Sequence, residues 1–262
     1  MRYLAAVILV LTIAGGVHAK MVTKTVAYKQ NGTVCKGFLV YDDAWTGKRP
    51  GVLVVPEWWG LNDFARERAE KLARMGYVAL AADMYGDGLT TKDPQEAAKL
   101  AGQVRGTPLM RERALAALKA LAAQPLVDPK RLAAIGFCFG GTAVLELAYA
   151  GADLAGVVSF HGGLTLPSAA DLKRIKAKIL VLHGADDPLV PPKDAAAFRE
   201  AMRKAGADWQ MVYYGGAVHS FTNPASGSDK SKGVAYNAEA AARSWEAMQA
   251  FFKEIFAEGK GK

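Results

Sequence analysis

A cysteine between closely spaced glycines is the residue in this sequence best placed for chemistry. Cys138 lies in GFCFGG, where Gly136 and Gly140 flank it as glycines flank the serine of a G-x-S-x-G nucleophile elbow. Such an elbow is a strained turn that exposes the side chain at its apex, here between a predicted strand at 131–137 and a helix from about Thr142. A thiol there can attack a carbonyl carbon once an imidazole has taken its proton. We therefore predict that Cys138 is a nucleophile.

A histidine and an acid follow the cysteine in the order that this chemistry uses. His219 comes after the last predicted strand, and Asp186 and Asp187 lie in the loop after the strand before it. Enzymes that carry the elbow have nucleophile, acid and histidine in this order. His161 and His183 also end strands at the same edge, but both precede the acid loop, so we predict structural roles for them. Lining of the pocket is the alternative for His161.

Two backbone N–H groups are predicted to stabilise the oxyanion that forms on attack. The amide of Phe139 directly follows the nucleophile, and the amide of Trp58 lies at the end of a predicted buried strand. Such donors are worth about 3 kcal/mol each. If the neighbouring Glu57 faces Cys138, its charge would oppose thiolate formation, or its carboxylate would accept the thiol proton. The alternative for Glu57 is a charge at the rim of the site.

The predicted elements that position these groups alternate between strand and helix. Asn31-Gly32 supplies the positive φ angles of a tight hairpin turn, which predicts an antiparallel N-terminal edge. Amphipathic helices separate further buried strands, which are predicted at 50–56, 77–83, 131–137, 154–160, 178–183 and 209–214. This alternation predicts an α/β fold with a mostly parallel central sheet and helices on both faces. The functional groups then meet where the parallel strands end.

The first residues have the pattern of a secretory signal peptide. A short positive start precedes an apolar run at 4–14, and Val17-His18-Ala19 is a small-residue cleavage site. We predict a signal peptide at 1–19, a single domain at 20–262, and an exported protein that is periplasmic or secreted. A membrane anchor is the alternative, but the apolar run is shorter than the ~18 residues of a spanning helix. No stable membrane insertion is expected after signal removal.

Charge and composition argue against several other functions. The net charge of +8 is spread along the chain without a basic stripe of interleaved aromatics, so nucleic acid is not an expected partner. The two cysteines and the histidines beyond the signal show no metal-ligand spacing, and no phosphate-binding loop is evident. We therefore predict no metal and no other cofactor. A monomer is expected.

Export permits a different interpretation of the two cysteines. An oxidising compartment favours disulfides, so a bridge between Cys35 and Cys138, in a thiol redox protein, is an alternative to hydrolysis. The chain has no C-x-x-C pair, and the two cysteines are far apart in sequence, which favours two free thiols. A catalytically idle binding protein with the same fold is the third possibility.

The chain resembles the dienelactone hydrolase family, whose namesake is carboxymethylenebutenolidase. The resemblance rests on four motifs that occur in order along the chain, namely EWWGLN from Glu57, GFCFGG around Cys138, DPLVP from Asp187 and HSF from His219. It implies an α/β-hydrolase fold and a triad of Cys138, Asp187 and His219 that hydrolyses a lactone or carboxylic ester, an EC 3.1.1 type of reaction, through an acyl thioester. It also implies that Glu57 holds the resting thiol and releases it when substrate binds.

The resemblance is incomplete where the family binds substrate. The namesake uses two arginines for a substrate carboxylate, but the loop Tyr85-Gly86-Asp87-Gly88 contains none, and the position four residues after His219 is Asn223. A neutral or aromatic small-molecule ester or lactone is therefore expected, in an apolar pocket. The predicted lining residues are Trp58, Trp59, Tyr85, Phe137, His161, Phe221 and Asn223.

Overall fold

The computed structural model describes residues 20–257, which form an eight-stranded sheet with helices around it. The strands are β1 (Met21–Gln30), β2 (Thr33–Asp42), β3 (Arg49–Val55), β4 (Val78–Ala81), β5 (Val127–Phe137), β6 (Gly156–Phe160), β7 (Lys178–Gly184) and β8 (Trp209–Tyr214). Their order across the sheet is β1-β2-β4-β3-β5-β6-β7-β8. The predicted signal peptide, residues 1–19, lies outside the described residues.

The first two strands form the predicted antiparallel hairpin at one edge of the sheet. Asn31 and Gly32 have φ angles of 44° and 84°, the left-handed backbone that a two-residue turn of this kind needs. β2 also pairs antiparallel with β4, whereas the remaining neighbouring strands pair in parallel. The prediction of a mostly parallel sheet with an antiparallel N-terminal edge is confirmed.

Helices cover both faces of this sheet. They are α1 (Asp63–Arg74), α2 (Pro94–Val104), α3 (Pro108–Ala122), α4 (Phe139–Tyr149), α5 (Ala169–Leu172), α6 (Pro192–Ala205) and α7 (Ala238–Ala257). On one face α1 and α7 bury apolar side chains against Val52 and Val54 of β3, and on the other α3, α4 and α6 pack in the cluster that contains Leu53 and Val55. Full burial of such a side chain contributes about 1.5–3 kcal/mol. None of the helices between residues 20 and 257 is long and apolar enough to cross a bilayer.

Helix α4 begins at Phe139, three residues before the predicted start. The glycines around Cys138 suggest a longer turn, but here they permit close packing of backbone. A Cβ atom at Gly140 would clash with the carbonyl oxygen of Val55, and one at Gly136 would clash with the carbonyl oxygen of Gly140. The first turn of α4 can therefore lie directly against the end of β3.

The parallel strands bring the predicted functional residues to one edge. Glu57 follows β3, Cys138 follows β5, Asp187 follows β7 and His219 follows β8. Because parallel strands end at the same side of a sheet, loops that are distant in sequence meet there. This is the edge at which the candidate site forms.

Candidate active site

Cys138 lies at the apex of a strained turn between β5 and α4. Its φ of 52° is in the left-handed region, which costs a non-glycine residue about 1–3 kcal/mol and recurs at functional sites. Its backbone N–H donates to the carbonyl oxygen of Phe160 at 3.0 Å and to Nδ1 of His161 at 3.1 Å. The turn holds the thiol in a half-buried position beyond the end of β5.

Three of the predicted side chains form a connected set. Nε2 of His219 is 3.1 Å from Sγ of Cys138, and Nδ1 of His219 is 2.8 Å from Oδ2 of Asp187. The other carboxylate oxygen of Asp187 accepts a hydrogen bond from the backbone N–H of Leu189 at 2.8 Å. Asp186, the other candidate acid, is exposed. This geometry allows proton transfer from thiol to imidazole while the carboxylate fixes the imidazole.

The surroundings of His219 favour its charged form. Burial alone would lower the pKa of this histidine, but the hydrogen bonds to Asp187 and Cys138, with their negative charges, outweigh burial and raise it to about 10. An imidazolium next to a thiolate and a carboxylate is stabilised by both. The imidazole of His219 therefore binds a proton strongly, which suits it to accept the proton of the neighbouring thiol.

A short pairing with a later segment holds the loop that carries His219. The backbone N–H of His219 donates to the carbonyl oxygen of Gly233 at 3.1 Å, and the N–H of Ala235 donates to the carbonyl oxygen of His219 at 3.1 Å. This segment is absent from the site predicted from the sequence, because a single bridge has no periodicity by which a sequence could indicate it.

Glu57 is buried beside the candidate site, but its hydrogen bonds go to the loop of residues 215–223 that carries His219, here called the histidine loop. Oε1 of Glu57 accepts from Oγ of Ser220 at 2.5 Å, and Oε2 accepts from Nδ2 of Asn223 at 2.6 Å. Burial raises the pKa of Glu57, and the two hydrogen bonds oppose that rise. The thiol of Cys138 contacts His219 instead. The arrangement that the resemblance implies for the resting state, with the thiol held by Glu57, is therefore not the one present.

The two amides expected to form the oxyanion hole lie beside Cys138. Trp58 and Phe139 line the same cavity as Cys138. Among the described residues, no acceptor takes the backbone N–H of either one. Phe139 is also the first residue of α4, and a helix N-terminus carries partial positive charge. Both amides are thus free to donate to a ligand.

A cavity of about 1220 Å³ opens at Cys138 and His219. Trp59 and Asn223 line it, as predicted. Its further apolar lining consists of Trp58, Leu61, Phe139, Leu164, Leu189, Val190, Ala225 and Val234. The space is large enough for a drug-sized small molecule, and most of the contact that it offers is apolar.

Three predicted lining residues are instead part of the core. Phe137 is fully buried and stacks on Phe160 with ring centroids 4.7 Å apart, because the last residue of β5 points into the sheet rather than into the cavity. Phe221 is fully buried and meets the ring of His161 edge-on at 5.2 Å. His161 is itself fully buried. These side chains belong to the packing around the site and not to the lining of the cavity.

Tyr85 is a fourth residue that does not line the cavity. Its hydroxyl donates to the carbonyl oxygen of Trp58 at 2.8 Å, and its ring lies 5.9 Å from that of Phe139. Tyr85 lies in the predicted loop after β4, but the direction of its side chain could not be derived from the sequence. Tyr85 therefore contacts Trp58 and Phe139, the two residues whose amides are the candidate oxyanion donors.

Basic residues that sequence analysis missed also line the cavity. Arg66 is the fourth residue of α1, while Lys92 and Arg105 lie near the two ends of α2. The guanidinium of Arg105 is 6.0 Å from the ring centroid of Phe139. None of the three belongs to a motif, and only their nearness to helix ends could have suggested them. The cavity therefore offers cationic contacts, although neither position at which the family's namesake has an arginine carries one in this chain.

The two cysteines are too far apart to form a disulfide. Both are free thiols, Cys35 on β2 and Cys138 after β5. Three strand-to-strand steps separate β2 from β5, which at roughly 4.8 Å per step is about 14 Å. A disulfide needs Cα atoms within about 7 Å. The structure thus argues against the redox alternative.

No candidate metal centre accompanies Cys138, Asp187 and His219 in the part of the chain that the structure describes. Between residues 20 and 257, no group of three or more His, Cys, Asp or Glu side chains is placed to hold a metal ion. The groups that meet at the cavity have the chemistry that acyl transfer needs: a thiol, an imidazole hydrogen-bonded to a carboxylate, and N–H donors.

Known proteins match most of the chain. The sequence pattern of the dienelactone hydrolase family matches residues 36–256. A protein of a Synechocystis species, provisionally named carboxymethylenebutenolidase, is 30% identical over 227 residues, which cover 79% of this chain and 87% of that protein. An uncharacterised protein of Caenorhabditis elegans is 41% identical over 150 residues, which cover 56% of this chain and 95% of that protein.

Solved structures are similar over the same region. A dienelactone hydrolase-like promiscuous phosphotriesterase from metagenomic libraries superposes with a TM-score of 0.85 at 48% identity, covering 90% of this chain and 98% of that one. A Klebsiella pneumoniae protein provisionally named dienelactone hydrolase superposes with a TM-score of 0.76 at 26% identity, covering 89% and 99%. The sheet and helices described above thus form an α/β-hydrolase fold.

Proposed function

This chain belongs to the dienelactone hydrolase family, and we propose on that premise that it hydrolyses a lactone or a carboxylic ester with a triad of Cys138, His219 and Asp187. The contacts of His219 carry the proposal, because they join the thiol at 3.1 Å and the carboxylate at 2.8 Å through one imidazole. A hydrolase of this family acts on a small molecule, and the cavity at the thiol can accommodate one.

The first half of the proposed reaction acylates the cysteine. Nε2 of His219 takes the thiol proton, and the thiolate of Cys138 attacks the carbonyl carbon to form a C–S bond. The carbonyl oxygen becomes an oxyanion that accepts hydrogen bonds from the N–H groups of Trp58 and Phe139, each worth about 3 kcal/mol. Collapse of the tetrahedral intermediate breaks the bond to the alcohol or enol oxygen, which leaves with the proton of His219. An acyl thioester remains on Cys138.

The second half hydrolyses this thioester. The neutral imidazole of His219 takes a proton from water while the water oxygen attacks the thioester carbonyl. The same two amides stabilise the new oxyanion. Collapse breaks the C–S bond, the carboxylic acid leaves, and His219 returns its proton to the sulfur of Cys138. Asp187 keeps the imidazole in one tautomer and orientation through both halves.

The proposal is tested first by a substrate panel at neutral pH. Purified protein would be assayed with aryl esters, simple lactones and enol lactones, and we expect turnover of neutral esters or lactones whose acyl or aryl groups fit the apolar lining. Failure to hydrolyse any member of the panel, in protein shown to be folded, would contradict the proposed activity.

Phosphotriester hydrolysis is a second candidate activity. A similar solved structure, at 48% identity, is described as a promiscuous phosphotriesterase, and a neutral phosphotriester suits a largely apolar cavity beside a thiol. A neutral aryl dialkyl phosphate therefore belongs in the same panel. Release of the aryl alcohol by the wild type and not by Cys138→Ala would support this activity.

Arg105 is expected to influence selection among esters by charge. Because its exposed guanidinium lies at the cavity, 6.0 Å from the ring of Phe139, we expect Arg105→Gln to raise KM for an ester with a remote carboxylate about 2- to 5-fold, the range of an exposed ion pair. KM for the neutral ester of equal size should not change. Arg203→Gln, on α6 and outside the cavity, is the matched control. Equal effects on both esters would show that Arg105 does not recognise the substrate carboxylate.

Glu57→Gln is expected to increase the reactivity of Cys138 in the empty site. Glu57 lines the same cavity as Cys138, and the charge of a carboxylate there disfavours the thiolate. A glutamine can keep both contacts by accepting from Asn223 and donating to Ser220. The rate of alkylation by iodoacetamide between pH 5 and 9 is the measurement, with Glu239→Gln on the exposed surface of α7 as control. Unchanged reactivity would rule out restraint by Glu57.

The same substitution should stabilise the protein at neutral pH. Burial raises the folded-state pKa of Glu57 above the ordinary value of 4.5. Its contribution to folding is therefore full below about 4.5 and is lost as pH rises through the folded-state pKa. Glutamine avoids this loss, so urea unfolding should show a gain for Glu57→Gln at pH 7.5 that shrinks towards pH 4.

A further inference from the structure

His161 is buried outside the cavity and yet contacts two members of the proposed triad, Cys138 and His219. It follows β6 with a φ of 41°, and its side chain is fully buried. Its ring meets the ring of His219 edge-on, with centroids 5.5 Å apart. Its own backbone N–H donates to the carbonyl oxygen of Leu182 at 2.9 Å, which fixes the residue to β7. The proposed reaction gives this histidine no role.

The hydrogen bonds of His161 fix the tautomer of its ring. The backbone N–H of Cys138 can only donate, so Nδ1 of His161, 3.1 Å away, is the acceptor. The proton of the neutral ring then lies on Nε2, which donates to Oγ1 of Thr222 at 2.8 Å. Burial, and secondly the nearby charge of His219, lower the pKa of His161 well below its ordinary value. The ring is therefore neutral at physiological pH.

Thr222 extends this connection to the opposite side of the site. It lies in the same loop as His219, and its backbone carbonyl oxygen accepts from Nη2 of Arg68 at 3.1 Å. Arg68 is itself buried, with its guanidinium carbon 4.6 Å from the ring centroid of Phe64. The histidine loop is thus held from α1 on one side and by His161 on the other.

We propose that His161 is a positioning residue that sets the separation between the thiol of Cys138 and the imidazole of His219 by hydrogen bonding to both loops. Cys138 and His219 are 81 residues apart in the chain. Among the described residues, the only direct hydrogen bond between the elbow and the histidine loop is the contact between thiol and imidazole itself. The path through His161 and Thr222 joins the same two loops without the reacting atoms. This inference rests on the proposed triad.

The bridge requires His161 to stay uncharged. A protonated ring would present an N–H at Nδ1 to the N–H of Cys138, so the hydrogen bond to the elbow would be lost. It would also repel the imidazolium of His219, and the positive groups that face it, Arg68 and His183 when protonated, add to that repulsion. When His161 is neutral, His219 is the histidine of the two that can take up the additional proton.

Substitution of Thr222 tests the bridge with little change in shape. Thr222→Val removes the acceptor for Nε2 of His161, whereas Thr222→Ser keeps it. We expect Thr222→Val to lower kcat about 10- to 100-fold, the effect of a small misplacement of reacting groups, with KM unchanged. The rate of Cys138 alkylation by iodoacetamide at pH 7 should fall as well, because the imidazole would accept the thiol proton less well. Thr222→Ser should restore both.

Alkylation separates this inference from the proposed function, because it reports on the thiol without any substrate. Ser244→Ala, which also removes a fully buried hydroxyl but in α7, is the control for general destabilisation, and both variants would be compared by urea unfolding. Wild-type kcat and a wild-type pH profile of alkylation in folded Thr222→Val would overturn the positioning role.

A double-mutant cycle strengthens the test. His161→Asn retains an acceptor near the position of Nδ1 but cannot reach Thr222, so it should resemble Thr222→Val. If both act through one hydrogen bond, the double variant should be no slower than either single variant. Independent, multiplying losses in kcat would contradict a common bridge.

Discussion

Cys138→Ala is expected to reduce ester or lactone hydrolysis by about 10⁵-fold or more, to the level that binding and the oxyanion donors alone can support. Loss of a catalytic nucleophile has effects of this size, because the remaining groups have no covalent path to assist. The structure gives the thiol one ionisable partner at hydrogen-bond distance, His219 at 3.1 Å. Steady-state assays with the best panel substrate measure the loss.

Two observations distinguish a missing nucleophile from a damaged fold. Alanine occupies the strained φ of 52° as cysteine does, so the thermal unfolding midpoint of Cys138→Ala should stay near that of the wild type. Rapid quenching of wild-type turnover followed by peptide mass spectrometry should detect the acyl group on the peptide that contains Cys138. Substantial turnover by folded Cys138→Ala would show that another group attacks the substrate.

Asp187→Asn is expected to lower kcat about 10³- to 10⁴-fold with little change in KM. An asparagine cannot stabilise the imidazolium and can hold His219 in the wrong tautomer. Removal of the carboxylate also removes the strongest of the interactions that raise the pKa of His219 to about 10 against the opposing effect of burial. Asp186→Asn, at the exposed neighbouring position, is the matched control and should retain wild-type activity.

The pH dependence of stability provides a second measurement on the same variant. The folded-state pKa of His219 lies above the ordinary value of 6.5, so its contribution to folding is full below about 6.5 and is lost as pH rises through about 10. The free energy of unfolding of the wild type should therefore fall between pH 7 and 10 more steeply than that of Asp187→Asn. Parallel curves would mean that Asp187 does not determine this pKa.

The fold could be predicted from the sequence because periodicity and turn chemistry agreed along the chain. The apolar runs predicted as parallel strands each overlap a strand of the sheet, although β5 begins four residues before its predicted start, and Asn31-Gly32 forms the predicted hairpin turn. Cys138, Asp187 and His219 meet because each closely follows a parallel strand. Position after a strand is information that a sequence carries directly.

The direction of side chains and the partners of polar groups could not be predicted in this way. Phe137 and Phe221 are predicted to line the pocket, but neighbours on a chain point to different sides, and both side chains lie in the core. Glu57 accepts hydrogen bonds from Ser220 and Asn223, which belong to a loop more than 160 residues away in sequence. Arg105 reaches the cavity from the end of a helix that belongs to no motif.

Because Cys35 is buried, Cys138 is the one cysteine of the folded protein that a labelling reagent can readily reach. Cys35 has no exposed surface, and burial, with the charge of Asp83 as a smaller cause, raises the pKa of its thiol to about 11. A thiol-directed reagent added to the folded protein should therefore reach Cys138 first. One mole of label per mole of protein then counts the competent sites in a preparation, so turnover can be expressed per site without removing the other cysteine.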